Sequence, residues 1–102
     1  MASTRWRLDG QRALVTGASA GIGLAICREL LGLGAQVLMV ARDGALLEQA
    51  RADLEDEFPG PEDAALAFAA DVIDEAQRNE LLDWAADHGG PPIPVNNAGG
   101  HL

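Results

Sequence analysis

Short apolar runs alternate with segments of helical periodicity along this chain, and this alternation most constrains its fold. The runs cover residues 12–19, 35–41 and 64–70, and a fourth strand is expected near residues 93–96. The second run is continuously apolar, as is typical of a strand buried on both faces. The order β-α-β-α-β-α-β, without a long structureless gap, predicts an α/β fold with a doubly wound parallel sheet and right-handed crossovers.

Three helices are predicted between these strands. Gly32 and Gly34 supply a stop for the first helix, and Asp43 is a candidate N-cap of the second. Asp74, with Gln77 three residues on, resembles a capping box at the start of the third. The apolar residues at helical spacing are Ile22, Ile26, Leu30 and Leu33 in the first helix, Leu47, Ala50, Leu54 and Phe58 in the second, and Leu81, Leu82 and Ala85 in the third.

Composition and charge exclude several classes of protein. The chain has 102 residues, 48% of them hydrophobic, and one cysteine, which indicates a single domain compatible with a reducing cytoplasm. No apolar run is long enough to span a bilayer, and we see no signal peptide, so we expect a cytoplasmic protein. Residues 1–42 carry a net charge of +3 and residues 43–87 a net charge of −12. Such an acidic chain disfavours nucleic acid and anionic membrane as partners, and any anion site is expected in the first half.

A glycine-rich turn, "TGASAGIG" at residues 16–23, lies between the first strand and the first helix. Gly17 permits a tight turn, Gly21 leaves room for a diphosphate, and Gly23 allows close packing of helix and strand. The free N–H groups and the dipole of the helix start favour an anion there. The turn therefore predicts a dinucleotide phosphate site, with an ordinary tight turn as the alternative.

The spacing T-G-x-x-x-G-x-G resembles that of the short-chain dehydrogenases/reductases, and the opening "RWRLDGQRALVTGASAGIGLAI" is similar to tropinone-reductase-like members. "NNAG" at 96–99 and Asp71-Val72 resemble two further signatures of that family. The resemblance implies one Rossmann-type, NAD(P)-binding domain over residues 1–102, truncated before the catalytic half of the family. This resemblance and the residues at the strand ends together predict a set of cofactor-binding residues. They are Gly17, Ser19, Gly21, Ile22, Gly23, Arg42, Asp71, Val72, Asn97, Ala98 and Gly99.

The end of the second strand predicts which dinucleotide is bound. A carboxylate there would hold the ribose hydroxyls of NAD, but this chain has Ala41 followed by Arg42. A guanidinium would pair with a 2′-phosphate, so NADP(H) is favoured over NAD(H). Some relatives that use NADP have a basic residue where Ala20 stands. The alternatives are a surface arginine at Arg42, a turn serine at Ser19 and a backbone-capping aspartate at Asp71.

The family resemblance also implies a catalytic tyrosine and lysine, and this sequence contains neither. No catalytic residue is therefore assigned, and the spacing of Cys27, His88 and His101 predicts no metal site. The Rossmann-type sheet is expected to be incomplete, with about four strands and three helices. Pro92 and Pro94 predict damage to the fourth strand, because proline lacks an N–H donor.

Two classes of function remain open. The first is the NADP(H)-binding N-terminal part of a short-chain oxidoreductase, inactive on its own. The second is a non-catalytic dinucleotide-binding or subunit-interaction module, whose open strand edge would be covered by a second copy or by a missing C-terminal half. An S-adenosylmethionine site is disfavoured by Arg42, and a Walker-type loop requires a lysine that the chain lacks.

Overall fold

The predicted alternation of strands and helices is present in the computed structural model, which describes residues 8–61, 63–87 and 93–95. The strands lie within the predicted apolar runs and are one to three residues shorter than the runs. The elements in chain order are β1 (Arg12–Thr16), α1 (Gly21–Gly32), β2 (Gln36–Ala41), α2 (Gly44–Glu57), β3 (Ala65–Ala69), α3 (Glu75–Asp87) and β4 (Ile93–Val95).

The four strands form one parallel sheet in the order β3-β2-β1-β4. Thr16 at the end of β1 pairs with Val40, and Ala41 at the end of β2 pairs with Ala69 at the end of β3. The carboxyl ends of the strands therefore meet at one edge, where open α/β sheets bind their ligands. The fold class, an open Rossmann-type sheet, is confirmed.

The two faces of the sheet carry separate hydrophobic clusters, because β1 and β2 are buried on both sides. The cluster on the face of α1 and α2 includes Val15, Cys27, Val37, Met39, Leu47 and Leu54. The cluster on the face of α3 includes Leu14, Leu38, Val40, Leu81 and Ala85. On this second face the rings of Phe68 and Trp84 lie 5.0 Å apart between centroids, which joins β3 to α3. Helices on both faces make the sheet doubly wound.

The predicted helix ends are largely confirmed. Gly34, with a φ of +95°, ends α1, and the Ala35 N–H donates to the Leu30 carbonyl as in a Schellman motif. Asp43 caps α2, since its Oδ1 accepts from the Leu46 N–H at 3.1 Å. These ends fix where the loops at the carboxyl edge of the sheet begin.

The capping box predicted for α3 is half right. The Asp74 carboxylate accepts from the Gln77 N–H at 3.0 Å, as expected. The Gln77 side chain does not return to Asp74, however. It accepts from the N–H of Asp71, three residues further back, at 2.8 Å.

The predicted apolar stripes of α1 and α3 are wrong in part. Ile22 is 71% exposed and Leu82 is 57% exposed, so neither belongs to the core. The buried positions of α1 are Gly23, Cys27 and Leu31. Two of these three side chains are small, which lets the helix lie close to the sheet.

The fourth strand forms, although its prolines predicted damage. β4 pairs with β1 in parallel, with Ala13 opposite Ile93, Leu14 opposite Pro94 and Val15 opposite Val95. It is three residues long and has one neighbour among the described strands. An edge position is where a sheet tolerates proline. Pro92 lies outside the described residues.

Within residues 8–61, 63–87 and 93–95, none of the helices has the length and apolar character needed to cross a bilayer.

Candidate functional site

The glycine turn leaves β1 and enters α1 through two backbone conformations that favour glycine. Gly17 has a φ of +64° and Gly21 a φ of +59°. Between them, the Ala18 N–H donates to the Val40 carbonyl at 3.0 Å and ties the turn to the end of β2. A Cβ added at Gly21 would meet no atom within 4 Å. The space above Gly21 is therefore open to a ligand, as the sequence predicts.

The start of α1 is left without a side-chain cap. Ala20 is the N-cap residue with extended backbone, and among the described residues no side-chain cap hydrogen bond is made to this helix start. The first turn of α1 also contains no acidic residue, whereas α2 and α3 are both capped by aspartates. The positive end of this helix dipole is thus available to an anion. Ile22 is exposed beside it, and Ser19 is half-buried in the turn.

The end of β2 is followed by a cation and then by a carboxylate that caps the next helix. Ala41 is buried, and Arg42 directly after it is exposed. Over the described parts of the chain, Arg42 makes no hydrogen bond or ion pair. The neighbouring Asp43 is engaged as the cap of α2. The guanidinium of Arg42 is therefore available to a ligand, while one oxygen of Asp43 is held at the start of α2.

The loop between β3 and α3 completes this edge. The Ala70 N–H donates to the Ala41 carbonyl at 2.9 Å, which fixes the loop beside the end of β2. The Asp71 Oδ1 accepts from the Ile73 N–H at 3.0 Å, so this aspartate does cap loop backbone. This bond uses one carboxylate oxygen of Asp71, and a carboxylate has acceptor capacity to spare.

One backbone amide in this loop has no acceptor. The N–H groups of Ala70, Asp71, Ile73 and Asp74 all donate to protein oxygens. The Val72 N–H has no protein acceptor within the part of the chain that the structure describes. The side chain of Val72 is half-buried against the cluster on the face of α3, which holds its backbone in place. Asp71 and Val72 therefore present an acceptor and a donor side by side.

The predicted residues that the structure brings to this edge belong to the glycine turn, the end of β2 and the β3–α3 loop. Asn97, Ala98 and Gly99 lie outside the described residues, as do His88 and His101. Gln77 and Arg78 also contact the loop, and neither is among the predicted site residues. The capping-box pattern at Gln77 was the only signal that could have pointed to one of them.

Cys27 lies in the core between α1 and the sheet and is fully buried. Burial raises the pKa of its thiol to about 12, because the thiolate would lose its hydration. The thiol is thus protonated at neutral pH. The described residues contain no group of histidine, cysteine and carboxylate side chains placed to hold a metal ion.

A cleft of about 700 Å³ lies at the opposite, amino-terminal edge of the sheet. Its lining includes the starts of β1 and β2 and the loop before β3. The lining includes three carboxylates, those of Asp9, Glu57 and Asp63, and one guanidinium, that of Arg12; Glu57 is in turn paired with Arg28 at 3.0 Å, which leaves the cleft with a net negative charge. This charge balance disfavours an anionic dinucleotide, so the carboxyl edge is the better site for such a ligand.

This arrangement defines an open Rossmann-type fold, and comparison with known proteins gives the family. The family described as short chain dehydrogenase matches residues 11–102. The chain belongs to the short-chain dehydrogenase family.

The chain is 38% identical over 100 residues to a chloroplastic tropinone reductase homologue of Arabidopsis thaliana, covering 96% of this chain and 30% of that protein. A NADPH-bound short-chain oxidoreductase of Pseudomonas aeruginosa PAO1, with an atypical catalytic centre, superposes with a TM-score of 0.86 at 40% identity, covering 92% of this chain and 36% of that one. The RhlG/NADP complex of Pseudomonas aeruginosa superposes with a TM-score of 0.82 at 34% identity, covering 97% and 38%. The chain spans about a third of the length of the curated relatives that it matches.

Proposed function

We propose that this chain is the cofactor-binding portion of a short-chain oxidoreductase and that it binds NADP(H) in preference to NAD(H). The observation that carries the preference is at the end of β2. Arg42 is exposed and has no protein partner over the described residues, while Asp43 is occupied as a helix cap. A guanidinium without a protein partner among the described residues favours a ribose that bears a 2′-phosphate, and the cap hydrogen bond directs the Asp43 carboxylate towards the start of α2.

The diphosphate is assigned to the start of α1. Gly17, Ser19, Gly21, Ile22 and Gly23 form the turn and the first residues of this helix. The uncapped N–H groups, the open space above Gly21 and the absence of a carboxylate in the first turn support this assignment. The net charge of +3 over residues 1–42 favours the same anion.

The adenine is assigned to Asp71 and Val72. The Watson–Crick edge of adenine offers an amino donor beside a ring-nitrogen acceptor. The spare Asp71 oxygen and the Val72 N–H, which has no acceptor among the described residues, supply an acceptor and a donor for these two groups. Asn97, Ala98 and Gly99 are proposed to lie beside the cofactor's ribose, from the family resemblance of "NNAG". Similar proteins solved with NADP or NADPH support a nicotinamide dinucleotide at this edge.

Bound NADPH supplies a hydride in the chemistry of this family, and the chain itself is proposed to lack the matching proton donor. It contains no tyrosine, and all seven of its basic residues are arginines. Its one thiol is buried and protonated. We therefore expect no oxidation of NADPH by the purified 102-residue chain with any carbonyl substrate, and measurable turnover would overturn this part of the proposal.

The second candidate is a non-catalytic dinucleotide-binding module that pairs with another subunit. The observation that favours it is the position of β4, which has a neighbour on one side only among the described strands. Unpaired strand edges pair readily with further chain. Sedimentation that shows dimers at micromolar concentration favours pairing with a second copy, and a concentration-independent monomer that melts cooperatively contradicts it.

The experiment that tests the leading proposal is calorimetric titration of the chain with NADPH and with NADH. We expect saturable binding that prefers NADPH and an Arg42→Ala variant that loses most of this preference. A partly exposed, charge-assisted contact contributes about 1–2 kcal/mol, so the loss should be roughly fivefold to thirtyfold. Arg51→Ala is the matched control, since it removes the same charge from an arginine that pairs within α2. Equal affinity for both dinucleotides in the parent chain contradicts the proposal.

A further inference from the structure

We propose that Gln77 and Arg78 of α3 are positioning residues that hold the Asp71–Val72 edge in the geometry that distinguishes adenine from other bases. This inference rests on the proposed function, because it takes that edge to be the adenine contact. Both residues act through the loop backbone, and neither is assigned a contact with the cofactor.

Gln77 fixes the first peptide unit of the loop. Its Oε1 accepts from the Asp71 N–H at 2.8 Å, across six positions of the chain, and this contact is partly buried. The Gln77 backbone N–H donates at the same time to the Asp74 carboxylate. The side chain is therefore held at the start of α3 while it holds the aspartate that would meet the adenine.

Arg78 fixes the third peptide unit. Its Nη1 donates to the Val72 carbonyl at 3.1 Å. The N–H at the other end of that unit, which belongs to Ile73, donates to the Asp71 Oδ1. The peptide that follows Val72 is thus held at both of its polar groups.

The second peptide unit, between Asp71 and Val72, is the one that presents the free amide. Its carbonyl accepts from the Asp74 N–H at 3.0 Å. In a trans peptide the C=O and the N–H point in opposite directions, so this bond directs the Val72 N–H away from the turn. The direction of the proposed donor is therefore a consequence of the bonds on either side of it.

The loop has little else to hold it. Ile73 is 83% exposed, and the apolar contacts of the loop with the core are made by the buried Ala70 and the half-buried Val72. Without the bond from Gln77, the Asp71 N–H would turn to water and the carboxylate would gain freedom. We therefore expect the loss of Gln77 to reduce base discrimination more than it reduces overall stability.

The test compares binding of NADPH with binding of its hypoxanthine analogue, which replaces the amino group by a carbonyl and the ring-nitrogen acceptor by an N–H. Both hydrogen bonds to Asp71 and Val72 are then mismatched, and we expect the parent chain to bind the analogue at least about tenfold more weakly. Gln77→Met keeps the length and helix propensity of the side chain but removes the acceptor. It should reduce the ratio of the affinities for NADPH and the analogue to about twofold or less. Gln77→Glu keeps an acceptor oxygen and should retain the ratio of the parent chain. Glu80→Gln, an exposed change on the same helix, is the control.

A second measurement keeps the test independent of affinity. Amide hydrogen exchange at Asp71 should be accelerated in Gln77→Met and protected in Gln77→Glu. Unchanged exchange together with an unchanged ratio in Gln77→Met overturns the inference. If Gln77→Met binds NADPH and its analogue more weakly by the same factor, the inference is also overturned, because general destabilisation of the chain has this effect. A parent chain that binds neither ligand overturns the proposed function itself, and one that binds both equally overturns the adenine assignment.

Discussion

Gly21 and Gly10 both have a positive φ and lie at opposite edges of the sheet. Alanine variants of the two therefore distinguish the effect of backbone strain on binding from the effect of a lost ligand contact. Gly21 has a φ of +59° and Gly10 a φ of +84°, and a Cβ added at either would meet no atom within 4 Å. Alanine at either position therefore costs backbone strain and no steric clash. This strain is about 1–2 kcal/mol for a residue forced into the left-handed region.

We predict similar losses of stability for Gly21→Ala and Gly10→Ala, and different effects on binding. Each kcal/mol lowers the Tm of a domain of this size by roughly 4–8 °C. At Gly21 the new methyl group would occupy the space assigned to the diphosphate. Loss of one charge-assisted hydrogen bond of about 1.5–3 kcal/mol weakens NADPH binding by roughly tenfold to a hundredfold. Gly10 lines the cleft at the amino-terminal edge, so its variant should keep the affinity of the parent chain.

The assay is thermal unfolding followed by circular dichroism, with calorimetric titration of NADPH at a temperature where both variants are folded. Equal loss of affinity in the two variants would show that backbone strain alone explains the effect. Full affinity in Gly21→Ala would refute the assignment of the diphosphate to this turn.

Four further predictions concern stability and the buried thiol. Asp43→Ala should cost about 1 kcal/mol in urea unfolding, because the Leu46 N–H loses its cap, and Asp43→Asn should cost less. Leu81→Ala should cost about 2–5 kcal/mol and Leu82→Ala less than about 0.5 kcal/mol, because only Leu81 is buried; similar costs would contradict the orientation of α3. Cys27 should react with Ellman's reagent only after unfolding. Burial raises the pKa of Cys27 in the folded chain to about 12, so the contribution of the protonated thiol to the free energy of unfolding is complete below about pH 9 and is lost as the pH rises towards 12. This loss of stability should be absent in Cys27→Ala. The chain has no lysine or tyrosine that would titrate in the same range.

The strands could be predicted closely because a strand buried on both faces needs a continuous apolar run. The run at residues 35–41 contains β2, whose side chains from Val37 to Val40 are almost fully buried. Helix ends were also predictable, since Gly34 and Asp43 perform local backbone functions that few other residues can perform.

The buried face of a helix was harder to predict. Apolar residues at helical spacing indicate a stripe, but α1 has two adjacent stripes, and the core selects the one with the smaller side chains. Gly23 and Cys27 allow close packing on the sheet, so Ile22 is left outside. Exposure of Ile22 at the start of α1 suits a residue expected beside the cofactor.

The residues of the candidate site came from motifs, but their hydrogen bonds could not be read from the sequence. An Asp–Gln pair three positions apart predicts a reciprocal cap, and it does not reveal that Gln77 reaches Asp71 instead. The free N–H of Val72 has no sequence signal, because the identity of a side chain does not tell which backbone amides are left without acceptors. Arg42 and Asp43 are a similar case, because the sequence does not tell which of them interacts with the protein. The structure shows that Asp43 caps α2 and that Arg42 has no side-chain partner among the described residues.

The most direct test of the account is to locate the bound ligand by amide chemical shifts. Adenosine 2′,5′-bisphosphate, which carries the adenine and the 2′-phosphate, should be titrated into the ¹⁵N-labelled chain. We predict perturbations at Arg42, Asp71 and Val72 and none at Gly10 or Gly60 in the cleft at the amino-terminal edge. Perturbations centred on that cleft, or a saturating ligand that leaves Arg42 unaffected, would contradict the claim that the carboxyl edge of this sheet binds NADP(H).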